Sequence, residues 1–243
     1  MAITVAVFAK HETPAAITLA EEIASLVESA GQAVWFDPLT AAATDRHPTD
    51  LERFAAADLI VSIGGDGTFL FAAATAGSTP IVGVNLGEVG FLNAVDPADA
   101  VDTVGRLLAE LRAGDPLPIR GLDRLAVTGA AVDPAINEIV IQAPTRGAAT
   151  PLALTIDVDE QRYHRTSADG VMVATSTGSS AYNLSEGGPL IHPTVPAMVV
   201  TMMADRAHHP ALVLPTAAAV QTTVEGPPEA VVVSDGRTRA EVT

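Results

Sequence analysis

The sequence predicts an α/β domain followed by a β-rich one. A three-layer, Rossmann-like α/β fold is expected over residues 1–115, and a mostly antiparallel β-sandwich over 116–243. Two observations carry this. The first third alternates β-branched runs with helical stretches, the βαβ rhythm of a parallel sheet covered by helices. Near Gly114-Asp115-Pro116 the texture changes, and strand-like segments separated by Gly, Pro and Asp take over.

Each early element has its own signal. Ile3 to Phe8 is a short, largely β-branched run, and Ala33 to Phe36 is a second strand. Between them Pro14 to Ala30 carries apolar residues at helical spacing (Ile17, Ala20, Ile23, Ala24, Val27) and stops at Gly31, a natural C-cap. Asp50 to Ala57 reads as a short helix and Leu59 to Ile63 as a third strand. Phe69 to Ala76 is alanine-rich and helical, Ile81 to Val84 a fourth strand, and Pro97 to Arg112 a helix with Val101, Val104, Leu107, Leu108 and Leu111 on one face.

In the second half, strands are expected at Arg124 to Thr128, Asn137 to Gln142, Pro151 to Val158, Arg162 to Ser167 and Gly170 to Ala174. Four more follow at Ala197 to Met203, Leu212 to Leu214, Val220 to Val224 and Ala230 to Ser234. The chain ends at Thr243, soon after Asp235-Gly236, and no strand is expected beyond that pair.

Composition narrows the chemistry. Thirteen basic against 29 acidic residues give a net charge of −16, a field that disfavours nucleic acid and anionic membranes as partners. Cysteine is absent, which removes disulfides, thiol nucleophiles and thiolate zinc sites. Lys10 is the only lysine. An acidic, alanine-rich chain nearly free of lysine fits a high-salt cytoplasm, where salt screens the repulsion between carboxylates. A high-GC genome also replaces Lys by Arg and enriches Ala, but does not demand −16. The N-terminus lacks the basic stretch of a secretion signal, and no apolar run approaches the ~20 residues of a membrane span, so a cytoplasmic protein is expected.

Four segments carry the chemistry. Gly64-Gly65-Asp66-Gly67-Thr68 lies between a buried strand and a helix, where an open parallel sheet binds ligands. Glycines there let the backbone approach a phosphate or sugar, and the helix dipole favours an anion. Asp66 opposes a phosphate, so it suits binding Mg²⁺, accepting a proton or bonding a sugar hydroxyl; capping the helix is the purely structural alternative. Neither GxGxxG nor GxxxxGK[ST] is present, which argues against a standard dinucleotide or P-loop site. Asn85-Leu86-Gly87-Glu88-Val89-Gly90-Phe91-Leu92 follows the fourth strand at the same sheet edge. Asn137-Glu138 opens a strand, and an amide beside a carboxylate can read an adenine edge and a ribose hydroxyl. Asp169-Gly170 precedes a strand and then the hydroxyl-rich loop Thr175-Ser176-Thr177-Gly178-Ser179-Ser180-Ala181-Tyr182-Asn183-Leu184-Ser185-Glu186-Gly187-Gly188-Pro189, which offers neutral donors to phosphates or sugars. The histidines have no metal-site spacing, so no metal-ligating set is expected.

In this order the four segments resemble the NAD kinase family, from about residue 3 to about 236. The Gly-Gly-Asp-Gly element is shared with lipid and sugar kinases; the Asn-Glu pair and the Thr-Gly-Ser-Ser-Ala-Tyr loop select this family among them. The resemblance implies transfer of the γ-phosphoryl of ATP, or in some members of polyphosphate, to the 2′-hydroxyl of the adenosine ribose of NAD. It implies Mg²⁺ with ATP, NAD held in the cleft, and a homo-oligomer. By resemblance Asp66 activates the acceptor hydroxyl, and Gly65, Gly67 and Thr68 belong to the phosphate loop. Phe91 is the apolar wall near the adenine, and Asn137 and Glu138 hold ribose and adenine. Thr177, Ser180, Ala181, Tyr182 and Ser185 line the dinucleotide. Asp169 matches a nicotinamide-side or neighbouring-subunit contact, Asp235 the family's late Asp-Gly, and Lys10 a donor-phosphate lysine. Glu186 departs from the small residue usual at its position. A non-catalytic NAD(P)-binding paralogue is the alternative reading, and the intact Asp66 speaks against it.

Overall fold

A computed structural model describes residues 2–87, 91–144, 151–205, 207–226 and 229–242. Glu88-Val89-Gly90 of the second glycine cluster lie outside the described residues. The chain divides into two compact units, Met1–Arg120 and Gly121–Thr243.

The first unit is a four-stranded parallel sheet in the order β2-β1-β3-β4, formed by β1 (Thr4–Ala9), β2 (Ala33–Phe36), β3 (Leu59–Gly64) and β4 (Ile81–Asn85). Helices α1 (Pro14–Ser29) and α4 (Ala100–Ala113) bury Leu19, Ile23, Val27, Val104 and Leu108 against Val5, Val7, Val61 and Ile63 on one face. Helix α3 (Asp66–Thr75) and the 3₁₀ turn Leu51–Ala56 cover the other face, where Phe54 and Ala72 meet Phe8 and Ile60. Strands buried on both faces read as continuous apolar runs, which is why they were legible. The chain passes from β1 to β2 on one side and to β3 on the other. The carboxyl ends of β1 and β3 therefore flank the point where the winding reverses, the usual ligand position in such sheets.

Two starts differ from expectation. Helix α2 (Pro38–Ala43) was not expected, although Asp37 caps it by accepting the N–H groups of Leu39 at 2.9 Å and Thr40 at 3.3 Å, with Pro38 in the first turn. Helix α3 begins at Asp66 rather than Phe69, because an acidic residue in the first turn complements the dipole and offsets the poor propensity of Gly67.

The second unit is a sandwich. A six-stranded antiparallel sheet has the order β10-β9-β8-β5-β12-β13, and a three-stranded antiparallel sheet the order β11-β6-β7. The strands are β5 (Glu138–Gln142), β6 (Leu152–Val158), β7 (Gln161–Ala168), β8 (Gly170–Thr175), β9 (Ala197–Met203), β10 (Leu212–Pro215), β11 (Val220–Glu225), β12 (Ala230–Ser234) and β13 (Thr238–Val242). Leu152, Leu154 and Ile156 of the smaller sheet pack on Val171, Val200 and Ala230 of the larger one.

Two corrections fall here. Arg124 to Thr128 forms no strand: Leu125 pairs with Ala135 alone, while Leu125, Val127 and Val132 lie against Ile139 and Val232 as a cover. The absence of a strand after Asp235-Gly236 is also overturned, since β13 pairs with β12 from Ser234↔Thr238 to Ala230↔Val242. Asp235 and Gly236 have φ of 48° and 67°, and Arg237 N–H closes the turn on the Ser234 carbonyl at 2.8 Å. This Asp-Gly hairpin turn is a sequence signal that the expectation left unused.

Candidate functional site

In the first unit the site is built at the carboxyl ends of β1, β3 and β4. Lys10 follows β1, and its main-chain N–H reaches the Ile63 carbonyl at 2.8 Å. Gly64 must be glycine: a Cβ there would stand 2.4 Å from Thr68 Oγ1 and 3.3 Å from Lys10 Cβ. Gly65 and Gly67 have open space around the position a Cβ would take, so packing within the chain does not demand glycine there. The requirement at Gly64 arises from a contact four residues along the chain, which the Gly-Gly-Asp-Gly pattern alone does not show.

Asp66 stands in the first turn of α3, half-buried. Its Oδ2 accepts the Phe91 N–H at 3.2 Å. Its Oδ1 accepts the Leu92 N–H at 3.4 Å and Asn93 Nδ2 at 2.9 Å. The carboxylate thus ties the glycine turn to the segment after β4; among the described residues both lone pairs of Oδ1 are engaged and one on Oδ2 remains for a further partner. Phe91 is brought to Asp66 by its main chain, and its ring is 53% exposed.

In the second unit a further cluster forms where β5 begins and the antiparallel β8 and β12 end. The Asp235 carboxylate accepts three consecutive main-chain N–H groups: Ile136 at 2.8 Å, Asn137 at 2.8 Å and Glu138 at 3.1 Å. The Asn137 carbonyl accepts the Thr175 N–H at 2.9 Å. A Cβ on Gly178 would lie 2.0 Å from that carbonyl oxygen, so the Thr-Gly turn packs on the Asn-Glu pair. Asn137 and Glu138 are each only 7% exposed. Burial, then the charge of Asp235, push the Glu138 carboxyl up to about 7 against the pull of a hydrogen bond from the Tyr182 main chain. Its Oε2 is buried with no hydrogen-bond partner among the described residues.

The hydroxyl loop is more inward-looking than its sequence suggests. Thr175 donates to the Ile136 carbonyl, Ser176 to Ala197, Ser179 to Ser176 and Ser180 to Thr177, at 2.6, 2.9, 2.7 and 3.1 Å. A hydroxyl whose single proton is engaged can meet a ligand only as an acceptor. Asn183 is fully buried; its Nδ2 donates to the Ser179 and Pro189 carbonyls at 3.0 Å each, and its Oδ1 accepts Thr201 Oγ1 at 2.7 Å. This amide fixes the loop and was not singled out from the sequence. The outward part includes half-buried Ser180, Ala181, Tyr182 and Glu186 and exposed Leu184 and Ser185, with Thr177 buried at the turn. Asp169 is not in this cluster. It precedes the opposite end of the six-residue β8, exposed, with its N–H on the Met203 carbonyl at 2.9 Å. At ~3.3 Å per residue the run from Asp169 to Thr175 separates it from the loop by roughly 20 Å.

Among the described residues no group of three or more His, Asp or Glu side chains is arranged to hold a metal, and no helix is long and apolar enough to cross a membrane.

Comparisons with known proteins agree with both units. Residues 5–111 match the ATP-NAD kinase N-terminal domain and residues 136–243 the ATP-NAD kinase C-terminal domain. An NAD kinase of Natronomonas pharaonis is 46% identical over 238 residues, spanning 97% of this chain and 87% of its own. An NAD kinase of Halorubrum lacusprofundi is 46% identical over 242 residues, spanning 96% and 86%. The yeast NADH kinase in complex with NADH superposes with a TM-score of 0.79 at 25% identity, covering 100% of this chain and 76% of that one. The NAD kinase of Archaeoglobus fulgidus in complex with ATP shares the fold, with a TM-score of 0.78 at 24% identity over 100% and 87% of the two chains. With near-full-length identity of this order and both domains matched in sequence order, the chain belongs to the NAD kinase family.

Proposed function

We propose that the chain transfers the γ-phosphoryl of ATP to the 2′-hydroxyl of the adenosine ribose of NAD, giving NADP. The 46% identity to an NAD kinase along 97% of the chain carries this reading. Asp66 is the general base: three N–H donors among the described residues hold its carboxylate and leave one lone pair of Oδ2, which can accept the hydroxyl proton as the phosphoryl arrives. Lys10 and the first turn of α3, with Gly65, Gly67 and Thr68, meet the donor phosphates. Mg²⁺ enters on the triphosphate and spreads its charge. Asn137 and Glu138 hold the adenosine side of NAD; Thr177, Ser180, Ala181, Tyr182 and Ser185 line it, and Phe91 gives an apolar wall. Asp235 acts indirectly, by fixing the backbone of the pair. Asp169, remote from the cluster within its own chain, contributes to the site of a neighbouring subunit in a homo-oligomer. The test is purified protein in molar KCl with Mg-ATP and NAD, scored for NADP. Binding of NAD without NADP formation would favour the non-catalytic paralogue.

Truncating Asn137 to Ala should leave a buried partner unpaired, worth ~1–3 kcal/mol. NAD affinity should fall by roughly one to two decades, with Mg-ATP affinity much less affected. Calorimetric titration with each ligand separates this from misfolding, which weakens both, and from a surface role, which weakens neither.

The chain works in a high-salt cytoplasm, as the −16 charge implies. Its melting temperature should climb from low to molar KCl as carboxylate repulsion is screened. A flat or falling curve would assign the composition to genome bias instead.

A further inference from the structure

Asn93 has features that ordinary packing does not explain. It is 8% exposed, its Nδ2 donates to Asp66 Oδ1 at 2.9 Å, and its Oδ1 is buried with no partner among the described residues. A room has been made for it. A Cβ on Gly83 would lie 2.5 Å from Asn93 Oδ1 and 3.0 Å from both Asn93 Cα and Phe69 Cδ2. The amide therefore occupies the place of a missing side chain in β4, under α3. Ser62 is the register partner of Gly83, and its hydroxyl is likewise buried and unpartnered among the described residues. Paired residues of neighbouring strands point to the same face, so Ser62 shares the face of the sheet on which the Asn93 amide is seated over Gly83.

An ionised carboxylate only accepts, so the amide must turn its NH₂ to Asp66 and its oxygen inward. That orientation leaves the oxygen unpaired in the protein interior, a cost an apolar residue of the same size would not incur. We propose that Asn93 is a positioning residue for phosphoryl transfer: seated in the space left by Gly83, it fixes the rotamer of Asp66 so that a lone pair faces the acceptor hydroxyl. This rests on the reading of Asp66 as the general base. Asn93 touches no reacting atom and acts through Asp66 alone.

A double-mutant cycle in kcat tests it, with Mg-ATP and NAD in molar KCl. Asn93→Leu keeps size and burial and removes the donor. Its kcat should fall roughly ten- to hundredfold, the scale of a slight misplacement of a reacting group, with KM for both substrates near wild type. In an Asp66→Ala background the same change should cost nothing further. A merely structural role would lower melting temperature and multiply its effect in both backgrounds. Wild-type kcat in Asn93→Leu, or full multiplication of the losses, overturns the proposal. Should Asn93→Leu not fold, Asn93→Asp has the same shape but sets a second acceptor against Asp66. It should be slower than wild type, and wild-type kcat there also overturns the proposal. Near-normal turnover in Asp66→Ala would remove the base reading itself and this proposal with it. A crippled Asp66→Ala beside unaffected Asn93 variants would remove this proposal alone.

Discussion

Asp66→Asn should retain the fold and NAD binding and lose ~10²–10⁴-fold in kcat, the range for a removed general base. The structure adds a second cost. Among the described residues three bonds reach Asp66, all from N–H donors: Phe91 on Oδ2, Leu92 and Asn93 on Oδ1. An asparagine presents one NH₂, so at least one of these donors would face another donor. The amide oxygen should settle on the side with two donors and release Phe91. The variant should therefore lose the ordering of the segment after β4 as well as the base. Steady-state kinetics with calorimetric NAD binding checks the first part, and amide exchange at Phe91 the second. Turnover close to wild type would remove Asp66 from the chemistry.

The next largest effect concerns Glu138 and pH. Its carboxyl is pushed up to about 7 from an ordinary 4.5, by burial first and by the Asp235 charge second. The native state thus keeps a proton that the unfolded chain releases. Stability from this group is present at acid pH and is lost as pH rises between about 4.5 and about 7. The window is worth about 3 kcal/mol. The difference in stability between two proteins isolates this group. Glu138→Gln has the same shape and no charge. Its stability relative to wild type should grow by about that amount from pH 4.5 to above 7. Urea titrations of both proteins at several pH values in constant KCl supply the difference, and a pH-independent difference would refute the shift. A ligand hydroxyl donating to Glu138 favours its charged form, so NAD should also draw the proton away near neutrality.

What was legible in the sequence has a physical pattern. The parallel strands announced themselves because burial on both faces leaves no polar alternation to confuse them: Leu59, Ile60, Val61 and Ile63 form one apolar run broken by Ser62. Helix α1 was clear because Pro14 and Gly31 mark its ends. Strand β13 was missed because Thr238, Arg239 and Glu241 read as solvent-facing chain, although the Asp-Gly turn before it specifies a hairpin. Candidate residues inside a recognisable motif are visible in the sequence; a residue whose role comes from a contact made in the fold is not. Asn93 sits one residue beyond the second glycine motif, and its contacts with Gly83, ten residues earlier, and with Asp66 separate it from an ordinary loop amide. In the hydroxyl loop the sequence shows the groups but not where their protons go, and most go to nearby carbonyls.

The grip of Asp235 on the backbone of residues 136–138 bridges sequence separations of 99, 98 and 97 residues. Contacts of such high order are slow to form, because a long loop must close before they return anything. During synthesis the Asn137-Glu138 segment emerges with three consecutive amides lacking the acceptor that will hold them. It waits for nearly a hundred further residues, at ~5–20 residues per second, before Asp235 is available. Ribosome-bound chains released just short of residue 235 should thus hold a partly folded sandwich whose nucleotide-side segment is still open. The backbone of residues 136–138 is thus fixed nearly a hundred residues after its own synthesis, long after every strand and helix of the α/β unit has emerged.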